Sequence, residues 1–449
     1  MKQDVFEKYP VPKAVAVMAL PTVLSMLVNV FYNMADTLFV GWTKDPNQVA
    51  AVSLTTPVFL LLMAIGNMFG IGGSSYISRL LGEGNNEKVK RVSAFCFYGS
   101  IVAGILMTII FLAGMPGILR MIGASENTYG FAEEYLTYVG WGAVFVVFSS
   151  AFGNIVRGEG ASTISMLGMM IGTIVNIVLD PIMILGLHMG VAGAGVATVI
   201  GNVCATVFYL IYLVSKKTCL SVAPKHFTLR NQVLTGVFKI GIPASMNNVL
   251  MSASNIVLNI YLVSYSDAVV AAMGVAMKAN MLIVLTALGL GMGVQPLVGY
   301  SYGAGNVKRM KKVMKFGMLC NVIMGSMVTV LYFIFAKQVI GIFIDNTAVI
   351  SHGVPMLRAL MISAPFIGIM FVFNFSFQAM GKALPSVILS LGRQGLFFFP
   401  ILILGNIAMG LDGIIYAQPL ADLASIVIAL IMFLIINKEL KNKEQGVQE

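Results

Sequence analysis

The loop Gly82-Glu83-Gly84-Asn85-Asn86-Glu87-Lys88-Val89-Lys90-Arg91-Val92 returns 221 residues later as Gly303-Ala304-Gly305-Asn306-Val307-Lys308-Arg309-Met310-Lys311-Lys312-Val313. Each copy follows a long apolar hairpin and precedes another apolar stretch, and the offset is close to half of the 449 residues. A chain that repeats one unit at half its length folds as two like halves that stack on each other. Further marks keep the same order in both halves. Leu20-Pro21 is matched by Ile242-Pro243, Gly70-Ile71-Gly72 by Gly291-Met292-Gly293, Gly158 by Gly381, and Val191-Ala192-Gly193 by Leu411-Asp412-Gly413.

Composition decides the solvent of these halves. The chain is 58% hydrophobic and 10% charged, with mean hydropathy +0.90. That is too little charge to cover a soluble fold of this size. The apolar residues instead divide into twelve membrane-spanning runs, at 14–41, 48–77, 92–114, 131–156, 164–187 and 190–214, then 236–264, 268–298, 316–336, 351–378, 387–406 and 411–436. The expected fold is an all-α polytopic membrane protein of two six-helix bundles. Six is an even number, so both copies enter the bilayer from the same side and are related by a pseudo-two-fold along the membrane normal. The N-lobe is expected over 1–214, with a polar linker at 215–235 carrying Lys216, Lys217, Pro224, His226 and Arg230, and the C-lobe with a short tail over 236–449.

The net charge of +10 raises the possibility of nucleic acid, but its distribution points to the lipid bilayer. With the N-terminus inside and the spans alternating, 22 of the 28 basic residues fall in cytoplasmic segments, Arg157 among them. Three (Lys44, Arg120, Lys337) fall in outer loops, and Lys278, Arg358 and Arg393 lie in or at the ends of spans. This is the positive-inside bias, and it predicts that both termini are cytoplasmic. The first span is too long for a signal-peptide core, so no cleaved leader is expected. The four cysteines make no CxxC and avoid the outer loops, and the three histidines are scattered, so neither disulfides nor zinc are expected. HExxH, GxSxG and GxxxxGK[ST] are absent, so enzyme chemistry is not expected.

An acid at the bilayer centre costs about 2.5–3.5 kcal/mol, so each one needs a reason. Asn29, Tyr32, Asn33 and Asp36 share one face of span one. In span five, Asn176 and Asp180 are four residues apart and face the same way, and Pro181 after them removes a helical hydrogen bond and permits a kink. Asn154 in span four, and Thr198 and Asn202 in span six, add amides and a hydroxyl. Such oxygens suit a hard cation such as Na⁺, and a desolvated carboxyl equally suits a proton. The C-half lacks these acids. The positions matching Asp36 and Asp180 are near Leu258 and Phe399, both apolar. It has instead Lys278, Arg393 and Asp422, which read either as an internal ion pair or as part of a substrate cavity. The 46 glycines permit close helix packing, as at Gly168-xxx-Gly172. Met and Phe are suited to lining a lumen that accepts varied apolar ligands.

Taken together, the duplicated six-span halves, the Pro21 entry, Asp36 after Asn33, the Gly-Asn-x-x-Lys loop and Asn176-x-x-x-Asp180-Pro181 resemble the multidrug and toxic compound extrusion (MATE) transporters. Within them the chain is most similar to the bacterial DinF-like branch and the multidrug pumps of low-GC Gram-positive bacteria. The resemblance covers nearly the whole chain. It implies two bundles in a V around a cleft that opens alternately to either side. It also implies multidrug efflux of bulky amphipathic organic cations, drugs and dyes, by a monomer in the bacterial cytoplasmic membrane, through antiport with H⁺ or Na⁺ and without a cofactor. By position it implies a cation site of Asp36, Asn154, Asn176, Asp180 and Thr198, with Tyr135 beside it. The family branch that has a Glu in span seven has no match here. The alternative expectation is a lipid-linked precursor flippase of related architecture, which would carry a strongly cationic cavity.

Overall fold

The computed structural model describes residues 2–444 except 44, 216 and 345. The side chains at 2, 3, 33–38, 41, 46, 267 and 441–444 lie outside the described residues, and with them Asn33 and Asp36. The chain is helical nearly throughout. The first half contains α1 (Lys2–Glu7), α2 (Val11–Gly41), α3 (Pro46–Gly82), α4 (Asn86–Met121), α5 (Glu126–Trp141), α6 (Ala143–Gly158), α7 (Ser162–Pro181) and α8 (Gly190–Val214). The second contains α9 (Asn231–Val263), α10 (Asp267–Gly303), α11 (Val307–Ile334), α12 (Ala336–Phe343), α13 (Thr347–Leu360), α14 (Ala364–Ala379), α15 (Ala383–Leu391), α16 (Phe398–Met409) and α17 (Leu411–Glu444). Ten stretches are long and apolar enough to cross a membrane. The bent pairs α5/α6 (58°) and α13/α14 (47°) each add one, giving twelve among the described residues.

The bends mark the fourth span of each half, so they repeat as the loops do. The fifth spans share a second irregularity. α7 ends at Pro181 and runs on as a π-helical turn over Ile182–Gly186, closed by Leu187 N–H donating to the Ile182 carbonyl at 2.8 Å. Span eleven carries the matching turn, Gly392–Leu396, between α15 and α16. Proline without an amide hydrogen explains the first. The second, with no proline at its start, shows that the wider turn belongs to the shared fold and not to Pro181 alone.

The repeated loop now has a physical reading. Gly84 (φ 72°) and Gly305 (φ 70°) take the left-handed conformation that ends a helix. Asn85 and Asn306 then cap the next helix, accepting from Lys88 N–H at 3.1 Å and Arg309 N–H at 2.9 Å. The first glycine of each copy is where the halves meet. A Cβ on Gly82 would lie 2.1 Å from the Tyr300 carbonyl oxygen, and one on Gly303 would lie 2.0 Å from that of Arg79.

Contacts between the halves gather at this loop end. Gly72 lies against Val237, Gly241 against Met68, Gly289 against Val23 and Gly293 against Ala19. The Ser75 hydroxyl donates to the Gln378 carbonyl. The short α1 also docks across the junction, with Phe6 stacked on Tyr300 (centroids 4.6 Å apart) and Arg309 donating to the Tyr9 carbonyl at 2.9 Å. The linker is held by Glu159, whose buried carboxylate accepts from Thr218 Oγ1 at 2.8 Å and Cys219 N–H at 3.1 Å.

The packing of the core gives the shape. At the loop end one continuous core joins both halves, with Met18, Phe69 and Ile77 against Val237, Val294 and Phe377. At the far end the core splits in two. One part, around Leu62, Phe111 and Ile184, belongs to the first half, and the other, around Leu258, Met356 and Phe398, to the second. Where the two diverge lies a Met- and Phe-rich cluster drawn from both: Met26 and partly buried Met169 with Met292, Met370, Phe371 and Phe375. The molecule is therefore a V closed at the loop end, with this cluster at its crotch.

Candidate functional site

Within the first half, α7 and α8 are brought close by glycine. A Cβ on Gly201 would lie 2.5 Å from the Gly172 carbonyl oxygen, and one on Gly168 2.4 Å from the Tyr209 ring. The Gly168-xxx-Gly172 spacing thus faces α8, as expected. One turn along from this contact, Asn176 and Asp180 on α7 meet Thr198 on α8. Asp180 is fully buried, and Asn176 and Thr198 are 3% exposed. The Asn176 amide fits its surroundings with its nitrogen donating to Asp180 Oδ2 at 3.0 Å. Its oxygen then accepts from the Thr198 N–H at 3.0 Å and Oγ1 at 3.2 Å. The side chain of Asn202 extends the group, donating to the Thr198 carbonyl at 2.9 Å and accepting from Ser149 Oγ at 2.7 Å. Buried Tyr135 lies on the same seam. A Cβ on Gly195, one turn before Thr198, would be 3.2 Å from the Tyr135 carbonyl oxygen.

Asn154 is held in a different network. Its amide nitrogen donates to Asn67 Oδ1 at 3.1 Å and to the Ser150 carbonyl at 2.8 Å, and its oxygen accepts from Arg157 Nη2 at 3.1 Å. Sequence reasoning missed Asn67, an amide inside span two. It also counted Arg157 as a cytoplasmic charge, whereas the structure buries it to 4% exposure. Its position one residue before Gly158 hid this, because a basic residue at a span end reads as a surface anchor. Asn29 and Tyr32 are half-buried on α2, and Asn33 and Asp36 of that stripe lie outside the described residues.

In the second half the three candidate charges separate. Arg393, in the π-helical turn, donates from Nε to Asp422 Oδ1 at 2.8 Å, and both side chains are under 10% exposed. Gln418 Nε2 donates to the same oxygen at 2.9 Å, and Ser363 Oγ to Oδ2 at 2.9 Å. The guanidinium also lies 5.4 Å from the centre of the Phe371 ring. Of the two expectations for Arg393 and Asp422, the internal ion pair is the one found. Lys278 takes no part in it and is exposed on α10.

Chemically, a buried carboxylate beside an amide oxygen and a hydroxyl offers oxygen donors for one small cation, or a place for a proton. With one carboxylate and otherwise neutral oxygens, the described donor set suits a small singly charged ion better than a transition metal.

Comparison with known proteins identifies the family. The MatE family model matches the chain twice, over residues 21–182 and 243–404. The multidrug export protein MepA of Staphylococcus saprophyticus is 33% identical over 431 residues, covering 96% of this chain and 95% of that protein. MepA of Staphylococcus aureus strain N315 is 34% identical over the same length and shares. An outward-facing structure of a multidrug resistance MATE family transporter superposes with a TM-score of 0.93 at 26% identity, covering 98% of each chain. A MOP superfamily transporter from Pyrococcus furiosus does so with a TM-score of 0.90 at 27% identity, again over 98% of each chain. Two matches to the family model in one multi-pass helical membrane protein, and full-length agreement with these relatives, make the chain a member of the MatE family of membrane transporters.

Proposed function

We propose that the chain is a multidrug efflux pump that exports bulky amphipathic organic cations by antiport with H⁺ or Na⁺. The observation that carries this is the buried Asp180–Asn176–Thr198 cluster in one lobe of a V-shaped member of this family. The names of its staphylococcal relatives support export of drugs. Asp36, by its place on the polar face of span one, joins Asp180 as the second coupling carboxylate; Asn154, in its own network with Asn67 and Arg157, completes the coupling set, and Tyr135 is a supporting group. A cation on these acids favours one state of the V and a drug favours the other, so each displaces the other by mass action. One charge entering down 100 mV releases about 2.3 kcal/mol. A monovalent organic cation leaving consumes that term, so its export also needs the chemical gradient of the coupling ion.

Efflux of a fluorescent organic cation from everted vesicles, with a pH and a sodium gradient imposed separately, tests the reading. One of the two gradients is expected to drive counter-gradient movement, and resistance to unrelated dyes and biocides is expected to rise together in a pump-deficient host. Movement that only equilibrates the dye would indicate a channel. Resistance to no compound would favour the flippase.

We infer further that the loop end, both termini and the 215–235 linker are cytoplasmic, as the basic residues require, so that the V opens outward. Cysteines introduced at Ser215 and Asn231, in a background lacking the four native ones, are expected to resist an impermeant thiol reagent in intact cells. Ready labelling from outside would reverse the orientation.

A further inference from the structure

A polar thread leads away from Asp180 through the first lobe. It passes from Asp180 to Asn176 and Thr198, and from the Thr198 carbonyl to Asn202 at 2.9 Å. Asn202 accepts from Ser149 Oγ at 2.7 Å, and the neighbouring Ser150 carbonyl accepts from Asn154 at 2.8 Å. Asn154 then joins Asn67 and Arg157, each at 3.1 Å. Every link between residues is a hydrogen bond except the Ser149–Ser150 peptide. The ends are far apart. Asp180 lies 18 residues along α7 from Ser162, about 27 Å of helix, whereas Arg157 is in the last turn of α6 at the loop end. Ser149, Ser150, Asn202 and Asn67 are half-buried, so water-sized space reaches the middle of the thread. At the loop end it closes. Arg157 is 4% exposed, and a Cβ on Gly158 beside it would lie 2.7 Å from Ser74 Oγ. The charge at this closed end has no counterpart. Arg157 donates to Asn154, its Nε has no partner, and none of the ion pairs among the described residues includes it. A buried cation without a counter-charge is costly, and the fold does not require one here. With Gly158 matched to Gly381, Asn154 falls on Phe377 and Arg157 on Met380, both buried and apolar. The same place is thus filled without charge in the second half, and only the lobe that holds Asp180 carries the thread and its arginine.

Resting on the efflux reading and orientation above, we propose that this thread is the inner exit of the coupling ion and that Arg157 is its gate. The ion leaves Asp180 toward the loop end through the first lobe itself, while the drug uses the cleft between the lobes. Carbonyl, amide and hydroxyl oxygens offer Na⁺ a succession of partial shells. In the case of H⁺, a water at Asp180 takes the carboxyl proton and travels as hydronium past the same oxygens, leaving the carboxylate behind. The guanidinium blocks the end and repels any cation that reaches Asn154. Movement of Arg157 off Asn154 Oδ1 frees that oxygen and opens the end together, so release follows a change of state and is not a standing leak.

The test reads ion leak in the absence of drug. Liposomes holding the purified full chain are given a sodium gradient, followed with radioactive sodium, or a pH gradient, followed with an entrapped pH dye. Wild type is expected to be tight. Arg157→Gln is expected to raise drug-independent leak of the coupling ion roughly tenfold or more, the scale on which a fixed charge alters ion entry. Equilibrium binding of the fluorescent cation to this variant should be unchanged, which shows that it is folded. Arg157→Lys keeps the charge and should stay tight. Asn67→Leu, which sets an apolar group on the thread, should suppress the leak of Arg157→Gln. As a single change it should slow gradient-driven efflux at unchanged dye binding, and it decides the matter alone if Arg157→Gln fails to fold. An Arg157→Gln protein that binds dye and remains tight, or an Arg157→Lys protein that leaks as much as Arg157→Gln, would overturn the gate. A leak that Asn67→Leu leaves untouched, or normal gradient-driven efflux by Asn67→Leu alone, would overturn the route. Failure of wild type to drive dye with either gradient would overturn the efflux reading and this proposal with it.

Discussion

Replacing Asp180 by asparagine is expected to leave a protein that inserts and folds but no longer couples efflux to a cation gradient. The substitution is nearly isosteric. The introduced amide can still meet the Asn176 side chain, and the Gly172–Gly201 contact of α7 with α8 is left intact. What is lost is one exchangeable charge inside a fully buried site. With no carboxylate there, cation binding no longer distinguishes the states of the V, and a ligand indifferent to two states shifts neither. The gradient-dependent part of efflux is expected to fall on the order of 10–100-fold, the usual range of a coupling free energy. Equilibrium dye binding should stay within roughly twofold. Asp36→Asn is expected to act in the same way, from its place on the polar face of span one. Vesicle efflux normalised to protein in the membrane, beside dye binding, is the measurement. Near-normal gradient-driven efflux by both variants would remove coupling from this lobe.

The sequence and the structure agree most closely where one physical rule acts alone. Span count and duplication were legible because twenty-residue apolar runs admit one reading in lipid, and because the Gly-x-Gly-Asn loop is itself the cap that ends one helix and starts the next. The Asn176–Asp180 pair was legible from helical spacing, and Thr198 joins it because two glycines let α8 come close. Other features depend on contacts that no local pattern encodes. The bends of the fourth spans occur within apolar runs that read as continuous. The π-helical turn of span eleven has no proline at its start, where Pro181 marks the turn of span five. Arg157 sits at a span end, where the sequence cannot tell a snorkelling side chain from one turned inward to Asn154. Asn67 is a lone amide in an apolar helix, and only Asn154 opposite gives it meaning. The partner of Asp422 was open between Lys278 and Arg393, since choosing between them requires knowing which way α10 turns.

Arg393→Met is expected to be strongly destabilising, and the double change Arg393→Met/Asp422→Asn to recover most of the loss. Both charges of this pair are buried, and the carboxylate also accepts from Ser363 and Gln418. Removing the cation alone strands a carboxylate in a low-dielectric core, a loss of about 3–5 kcal/mol. The double variant removes both charges. The amide introduced at position 422 can still accept from Gln418 and donate to Ser363, and the methionine keeps an apolar side chain against Phe371, so little is left unsatisfied. Asp422→Asn alone leaves a guanidinium partly paired and should fall between the two. Thermal stability of the purified protein in detergent and abundance in the membrane read out the cycle, and the non-additive part measures the pair itself. The pair is internal to one lobe, so efflux per folded molecule should persist in Asp422→Asn, in contrast to Asp180→Asn. A double variant no more stable than Arg393→Met would show that the cost is lost packing and not a stranded charge. An Asp422→Asn protein of normal stability that has lost gradient-driven efflux would move coupling into the second lobe.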